Sequence, residues 1–180
     1  MRICLISCEI FFREFSDAIA QSSNDIEVRF LPKGLHDIGS DLMRERLQTE
    51  VDKVTSDQCD ALAMGYGLCN NGLDGIRAGD VPLVLPRAHD CIALFFGSRQ
   101  RYAEYFRKHP GTYFKTSGWI ERADSEGELR QLSIPHRFGI DQDYAALVEK
   151  YGPDNAEYLQ SLFGDHTHNY SNLTYIEMGV

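Results

Sequence analysis

The feature that most constrains this chain is an alternation. Short continuous apolar runs are each followed by a helical pattern through the first two-thirds of the sequence. A strand covered on both faces reads as an unbroken apolar run, and parallel strands need a crossover, usually a helix, between them. The runs at 2–7, 26–31, 61–64, 82–85 and 112–116 are therefore predicted strands, with Pro82 tolerable at a strand start. Helices are predicted over 12–21, 38–55 and 91–108. In the second of these, Leu42, Met43, Leu47, Val51 and Val54 fall on one stripe. His109-Pro110-Gly111 stops the third, because proline lacks the backbone donor and glycine permits the turn. The predicted fold class is an α/β, open three-layer, Rossmann-like and mainly parallel sheet with helices on both faces.

This core occupies residues 1–121. Beyond it the pattern changes: 122–138 is polar and loop-like, helices are predicted over 141–151 and 153–163, and 173–178 reads as a last short strand. Residues 122–180 are expected to form a C-terminal helical segment of the same domain or a small appendage. At 180 residues, 43% of them hydrophobic, the chain is long enough for one real core.

The formal charge of −9 argues against nucleic acid or an anionic membrane as partner, since neutralising phosphates takes clustered Lys and Arg. The apolar start MRICLISCEIFF carries Glu9, is far shorter than the roughly 20 residues of a membrane span, and has no basic leader or cleavage site. A cytoplasmic location is expected, with five reduced cysteines. The N-x-S/T triplets at Asn169 and Asn172 would then carry no glycan. A homo-oligomer is compatible with the sequence too, because the 38–55 helix has a face that a second subunit could bury.

Placed on this map, the reactive side chains fall into register. Cys8 follows the first predicted strand, His36 the second and Cys69 the third, while His89 and Cys91 follow the fourth. In an open parallel sheet, ligands bind outside the carboxyl ends of the strands. Cys4 and Cys59 fall within or before strands, where a thiol is an ordinary core residue. Cys8, Cys69, His89 and Cys91 are thus the candidate metal ligands. Zinc takes thiolate and imidazole in tetrahedral sites, and iron suits the same donors. No CxxC pair is present, so the expectation rests on the fold rather than on a linear motif.

Neighbouring residues have two readings each. Glu9 is a general base or oxygen ligand, or it caps the first helix. Asp90 orients His89 or, preferentially, caps the helix at Cys91, whose N-terminus would lower the Cys91 pKa. Arg87 holds a substrate carboxylate or phosphate, or pairs on the surface, and His36 joins it as a candidate substrate contact. GYGLCNNGLDG is neither a Walker loop nor a GxGxxG turn. Gly65 and Gly67 let backbone approach closely, and Asn70-Asn71-Gly72 favours a left-handed turn that fixes Cys69. His109, Tyr113 and Trp119 read as architecture, with lining of the pocket an alternative for Trp119. His166 and His168 read as a solvated loop.

The segments RFLPKGLHD (29–37), MRERLQ (43–48), GYGLCNNG (65–72), PRAHDCIALFFGSR (86–99) and HPGTYFKTSGWIER (109–122) resemble the domain of unknown function 1638 family of bacteria and archaea. The likeness continues more loosely through KYGPDNAEYL (150–159). It implies a recurring pattern at Cys8, Glu9, His36, Cys69, His89, Asp90 and Cys91. It also implies a setting near corrinoid-dependent methyltransferase systems, and hence a corrinoid protein or methyltransferase as partner. Members typically run on past the last strand, so a chain ending at Val180 would be shortened, either naturally or by trimming. Three functions remain open: a metal enzyme or accessory factor of one-carbon metabolism acting on a small-molecule ligand, a non-enzymatic metal or cofactor carrier or sensor, and a metal-free thiol enzyme. In the last, Cys91 or Cys69 is the nucleophile and His89 the base.

Overall fold

The computed structural model describes residues 1–122, 126–139, 141–163 and 169–180. Its framework is a four-stranded, wholly parallel sheet formed by β1 (Arg2–Cys8), β2 (Asp25–Leu31), β3 (Ala61–Gly65) and β4 (Leu83–Val84), in the order β2-β1-β3-β4. Register pairs Ile3 with Ile26 on one side and with Ala61 on the other. The chain leaves β1 through a short 3-10 turn and α1 (Phe12–Gln21) to reach β2. It then crosses back over β1 through α2 (Ser40–Asp52) to reach β3. Right-handed crossovers in opposite directions put the two helices on opposite faces. The alternation of side chains agrees. Cys4, Ile6, Leu62 and Met64 join the buried cluster with Met43, Leu47 and Val51 of α2, whereas Leu5 and Ala63 line a cleft with Phe15 and Ala18 of α1. The mixed α/β, mainly parallel architecture is the one the apolar runs predict.

Four details differ from the sequence reading, each for a local reason. The second helix begins at Ser40 because Gly39 sits at φ 88°, and residues Lys33–Ile38 before it form a 3-10 turn. The helix predicted over 91–108 is two, α3 (Cys91–Phe95) and α4 (Arg99–Lys108). Gly97 at φ 65° breaks it, and the Ser98 hydroxyl accepts the Arg101 N–H to start the second part. The fifth strand, β5 (Thr112–Lys115), does not extend the main sheet. It pairs in parallel with β6 (Asn172–Tyr175) as a separate ribbon. Within 122–138, read as loop, the described residues include α6 (Gly127–Leu132) and α7 (Ile134–Arg137). Between β5 and α6 lies α5 (Ser117–Glu121), and α8 (Tyr144–Tyr151) and α9 (Pro153–Phe163) complete the helices. His166 and His168 lie outside the described residues.

The C-terminal third is tied to the core. Leu129, Leu132 and Ile176 pack against the main cluster, and Arg46 of α2 pairs with Glu128 at 2.6 Å. Among the described residues no helix is long and apolar enough to cross a membrane.

Candidate functional site: three thiols at the switch point of the sheet

The strand order reverses between β1 and β3, the place where an open parallel sheet leaves a crevice at its carboxyl edge. Cys8 ends β1 there. The buried Ser7 hydroxyl donates to the Gly65 carbonyl at 3.2 Å and ties the ends of the two strands together. Past β3 and β4 the pairing continues as a ladder of loops, with Leu68 N–H to Ala88 O at 2.9 Å and Cys69 N–H to His89 O at 3.1 Å. Gly67 is required by this approach, since a Cβ there would stand 2.5 Å from the Asp90 carbonyl carbon. Cys69, Asn70 and Asn71 then take φ of 35°, 52° and 58°, and Gly72 N–H closes the turn on Cys69 O at 2.9 Å. The predicted left-handed turn is present and begins at the cysteine itself. Cys91 starts α3, whose N-cap Asp90 accepts the Ala93 N–H at 2.8 Å.

These segments bring three of the five cysteines together. Cys8, Cys69 and Cys91 line one cavity of about 20 Å³ with Tyr66, Trp119, Lys33 and His36. Each sulfur has a donor at hand: the Ile10 N–H for Cys8, the Gly67 and Cys91 N–H groups for Cys69, and the Trp119 indole for Cys91. The Tyr66 hydroxyl is buried and has no hydrogen-bond partner among the described residues. An orphaned buried hydroxyl is uncommon and costs about 1–3 kcal/mol. Lys33 is 8% exposed, with its N–H on Glu9 at 2.9 Å, its Nζ donating to Arg122 O at 2.9 Å and lying 5.6 Å from the Trp119 ring centroid.

Burial governs the thiols. It pushes Cys8 up to about 12 and Cys69 up to about 11, and it raises Cys91 as well. Electrostatics among Cys8, Cys69, Cys91 and Asp90 add to the rise. The lowered Cys91 pKa expected from a helix N-terminus is therefore overturned. A helix of five residues offers a small dipole, and desolvation outweighs it. Burial raises the Tyr66 hydroxyl too, well above its ordinary 10.0.

Other candidates are placed elsewhere. The His89 side chain is 84% exposed, contacts Asp90 at 3.2 Å and lines a surface depression with Arg99, Gln100 and Tyr102. Only its backbone carbonyl serves the thiol site. Arg87 is exposed and does not line the cavity. His36 does line it, edge-on to Trp119 at 6.4 Å between ring centroids. Glu9 does not cap α1. It holds the Lys33 backbone instead, close enough to act electrostatically on Cys8 and Tyr66. Among the described residues no group of three or more His, Cys, Asp or Glu could hold a metal ion as it stands. The expected cage of Cys8, Cys69, His89 and Cys91 is accordingly not preassembled. Cys4 and Cys59 are core thiols, 3% and 2% exposed. Sequence reasoning missed Tyr66 and Lys33; the glycines flanking Tyr66 were the one local hint.

Comparison with known proteins adds one match. The sequence model of a family described as "Protein of unknown function (DUF1638)" matches residues 30–180. No curated protein and no solved structure matches the chain.

Proposed function

The chain belongs to the DUF1638 family, and on that premise we propose that it binds one thiophilic metal ion, zinc or iron, through Cys8, Cys69 and Cys91. The observation that carries the proposal is the convergence of three thiols, from the end of β1, the loop after β3 and the start of α3, on one cavity of about 20 Å³. A cavity of that size holds about one water-sized atom, so it suits an ion and excludes an organic substrate. The donor set is soft, as zinc and ferrous iron prefer. Tyr66 lines the same cavity, and its hydroxyl has no hydrogen-bond partner among the described residues, so it is the candidate for a fourth donor to the ion.

The thiols' neutrality favours this reading over a thiol enzyme. With a pKa of about 11, roughly one Cys69 in ten thousand would be ionised at pH 7. A buried thiol of that kind is a poor nucleophile, and the expected base, His89, lies on the surface. A metal ion removes the obstacle, since binding displaces the thiol protons. The N–H groups of Ile10, Gly67 and Cys91 and the Trp119 indole would then donate to anionic sulfur, where such bonds are about twice as strong as neutral ones. Lys33 already acts to lower the Cys8 pKa. The sulfurs would draw inward on binding, because they are not grouped for a metal as they stand. When bound, the ion would supply Lewis acidity at the carboxyl edge of the sheet. A corrinoid protein or methyltransferase partner belongs to the proposal on the family resemblance alone.

The test is titration of metal-free protein with zinc or ferrous iron in oxygen-free buffer. One equivalent should bind, and Cys8→Ser, Cys69→Ser and Cys91→Ser should each weaken binding by at least about tenfold, since losing even an outer-shell partner of a ligand costs about 10–100-fold. Equal uptake by the Cys69→Ser variant would sink the proposal.

A further inference from the structure

On the sheet face opposite α2 lies a second site. No helix connects β3 to β4 among the described residues, and β5 leaves to form its own ribbon, so this part of the face keeps an open cleft of about 480 Å³. Its wall is apolar: Leu5 and Ala63 from the sheet, Phe15 from α1, Leu85 after β4 and Phe95 from α3. Volumes of about 300–1,000 Å³ with apolar walls and a few polar groups are those of small-molecule sites. The polar group here is Glu14. Both of its carboxylate oxygens are buried, and neither has a hydrogen-bond partner among the described residues. The neighbouring cation, Arg13, is committed to Glu121 at 2.6 Å and to the Val180 carbonyl at 3.4 Å.

A buried carboxylate without a donor is costly, and the cost is recovered when a cation meets it. We propose that this cleft binds a small apolar molecule carrying a protonated amine, with Glu14 receiving the ammonium and the aromatic wall receiving the apolar body. The two oxygens are shielded from water, so the amine reaches them by displacing a lining side chain. Met178, 39% exposed on the C-terminal tail, lines the cleft and is unbranched, which makes it the side chain proposed to move. Phe11 faces both this cleft and the thiol cavity, and its ring stacks on Phe95 at 4.4 Å. The two sites are therefore neighbours with one aromatic wall between them.

The probes are 3-phenylpropylamine and the matched neutral alcohol, 3-phenylpropanol, titrated into the full chain by amide NMR or calorimetry. The amine should bind at least about tenfold more tightly than the alcohol, the scale of one charge-assisted hydrogen bond. Glu14→Gln, which preserves shape, should bring the two to parity. Ala63→Leu, which fills the cleft from the sheet, should weaken both ligands, with the thermal transition checking that each variant is folded. The proposal is overturned if neither probe binds, if wild type binds both equally, or if Glu14→Gln keeps the preference. It is also overturned if the chain is a dimer that Val84→Glu dissociates, since the cleft would then be an interface between copies.

Discussion

Burial fixes the charge of the site residues, and it does so with a readable sign. Cys8 and Cys69 are raised from an ordinary 9.0 to about 12 and about 11, chiefly by desolvation. A group raised in the folded state adds stability that is fully present below its unfolded pKa and is lost as pH rises through the folded value. Metal-free protein should therefore lose thermal stability as pH climbs from 9 towards 12, and a Cys8→Ala/Cys69→Ala variant should lose less; thermal melts across that range measure both. Backbone room is the second residue-scale constraint. A Cβ at Gly118 would collide with the Ile10 backbone, and one at Gly67 would press on the Asp90 backbone. Gly118→Ala should destabilise by about 2–4 kcal/mol in urea unfolding, since no flexible side chain is there to yield. Gly67→Ala should cost less stability but weaken metal uptake by parting the Cys69 and Cys91 loops.

Among the elements, the cap of α3 joins stability to the site. Asp90 accepts the Ala93 N–H and precedes Cys91 directly. Asp90→Ala should cost about 1 kcal/mol, the usual scale for an N-cap, and should also loosen Cys91; urea unfolding and metal titration of one variant test both. The same helix start explains what the sequence concealed. His89 and Cys91 entered one ligand set because both follow the fourth predicted strand. The helix opens at Cys91, and the thiol turns to the cavity while the imidazole stays in water. Cys8 and Cys69 were legible because apolar runs end where strands end, and the Asn70-Asn71-Gly72 turn announced itself through residues that tolerate positive φ. Tyr66 and Lys33 were not, because an orphaned hydroxyl and a buried ammonium are facts of packing that no local pattern records.

In the whole molecule, the parallel sheet was readable from alternating apolar runs, but the destination of β5 was not. A four-residue strand looks alike whether it extends the main sheet or pairs with a segment 60 residues away, as Thr112 does with Asn172. Besides that pairing, Leu129, Leu132 and Ile176 pack against the core. A chain cut after Glu121 should lose its cooperative thermal transition. The central claim is that Cys8, Cys69 and Cys91 converge to hold one ion. Cobalt(II), a spectroscopic substitute for zinc or iron, tests it most directly through the near-ultraviolet charge-transfer absorption of cobalt-bound thiolate. That absorption should appear at one equivalent in wild type, be unchanged in His89→Ala and be lost or reduced in each of the three cysteine variants. Absent thiolate absorption in wild type, or full absorption in the Cys8→Ser and Cys69→Ser variants, would contradict it.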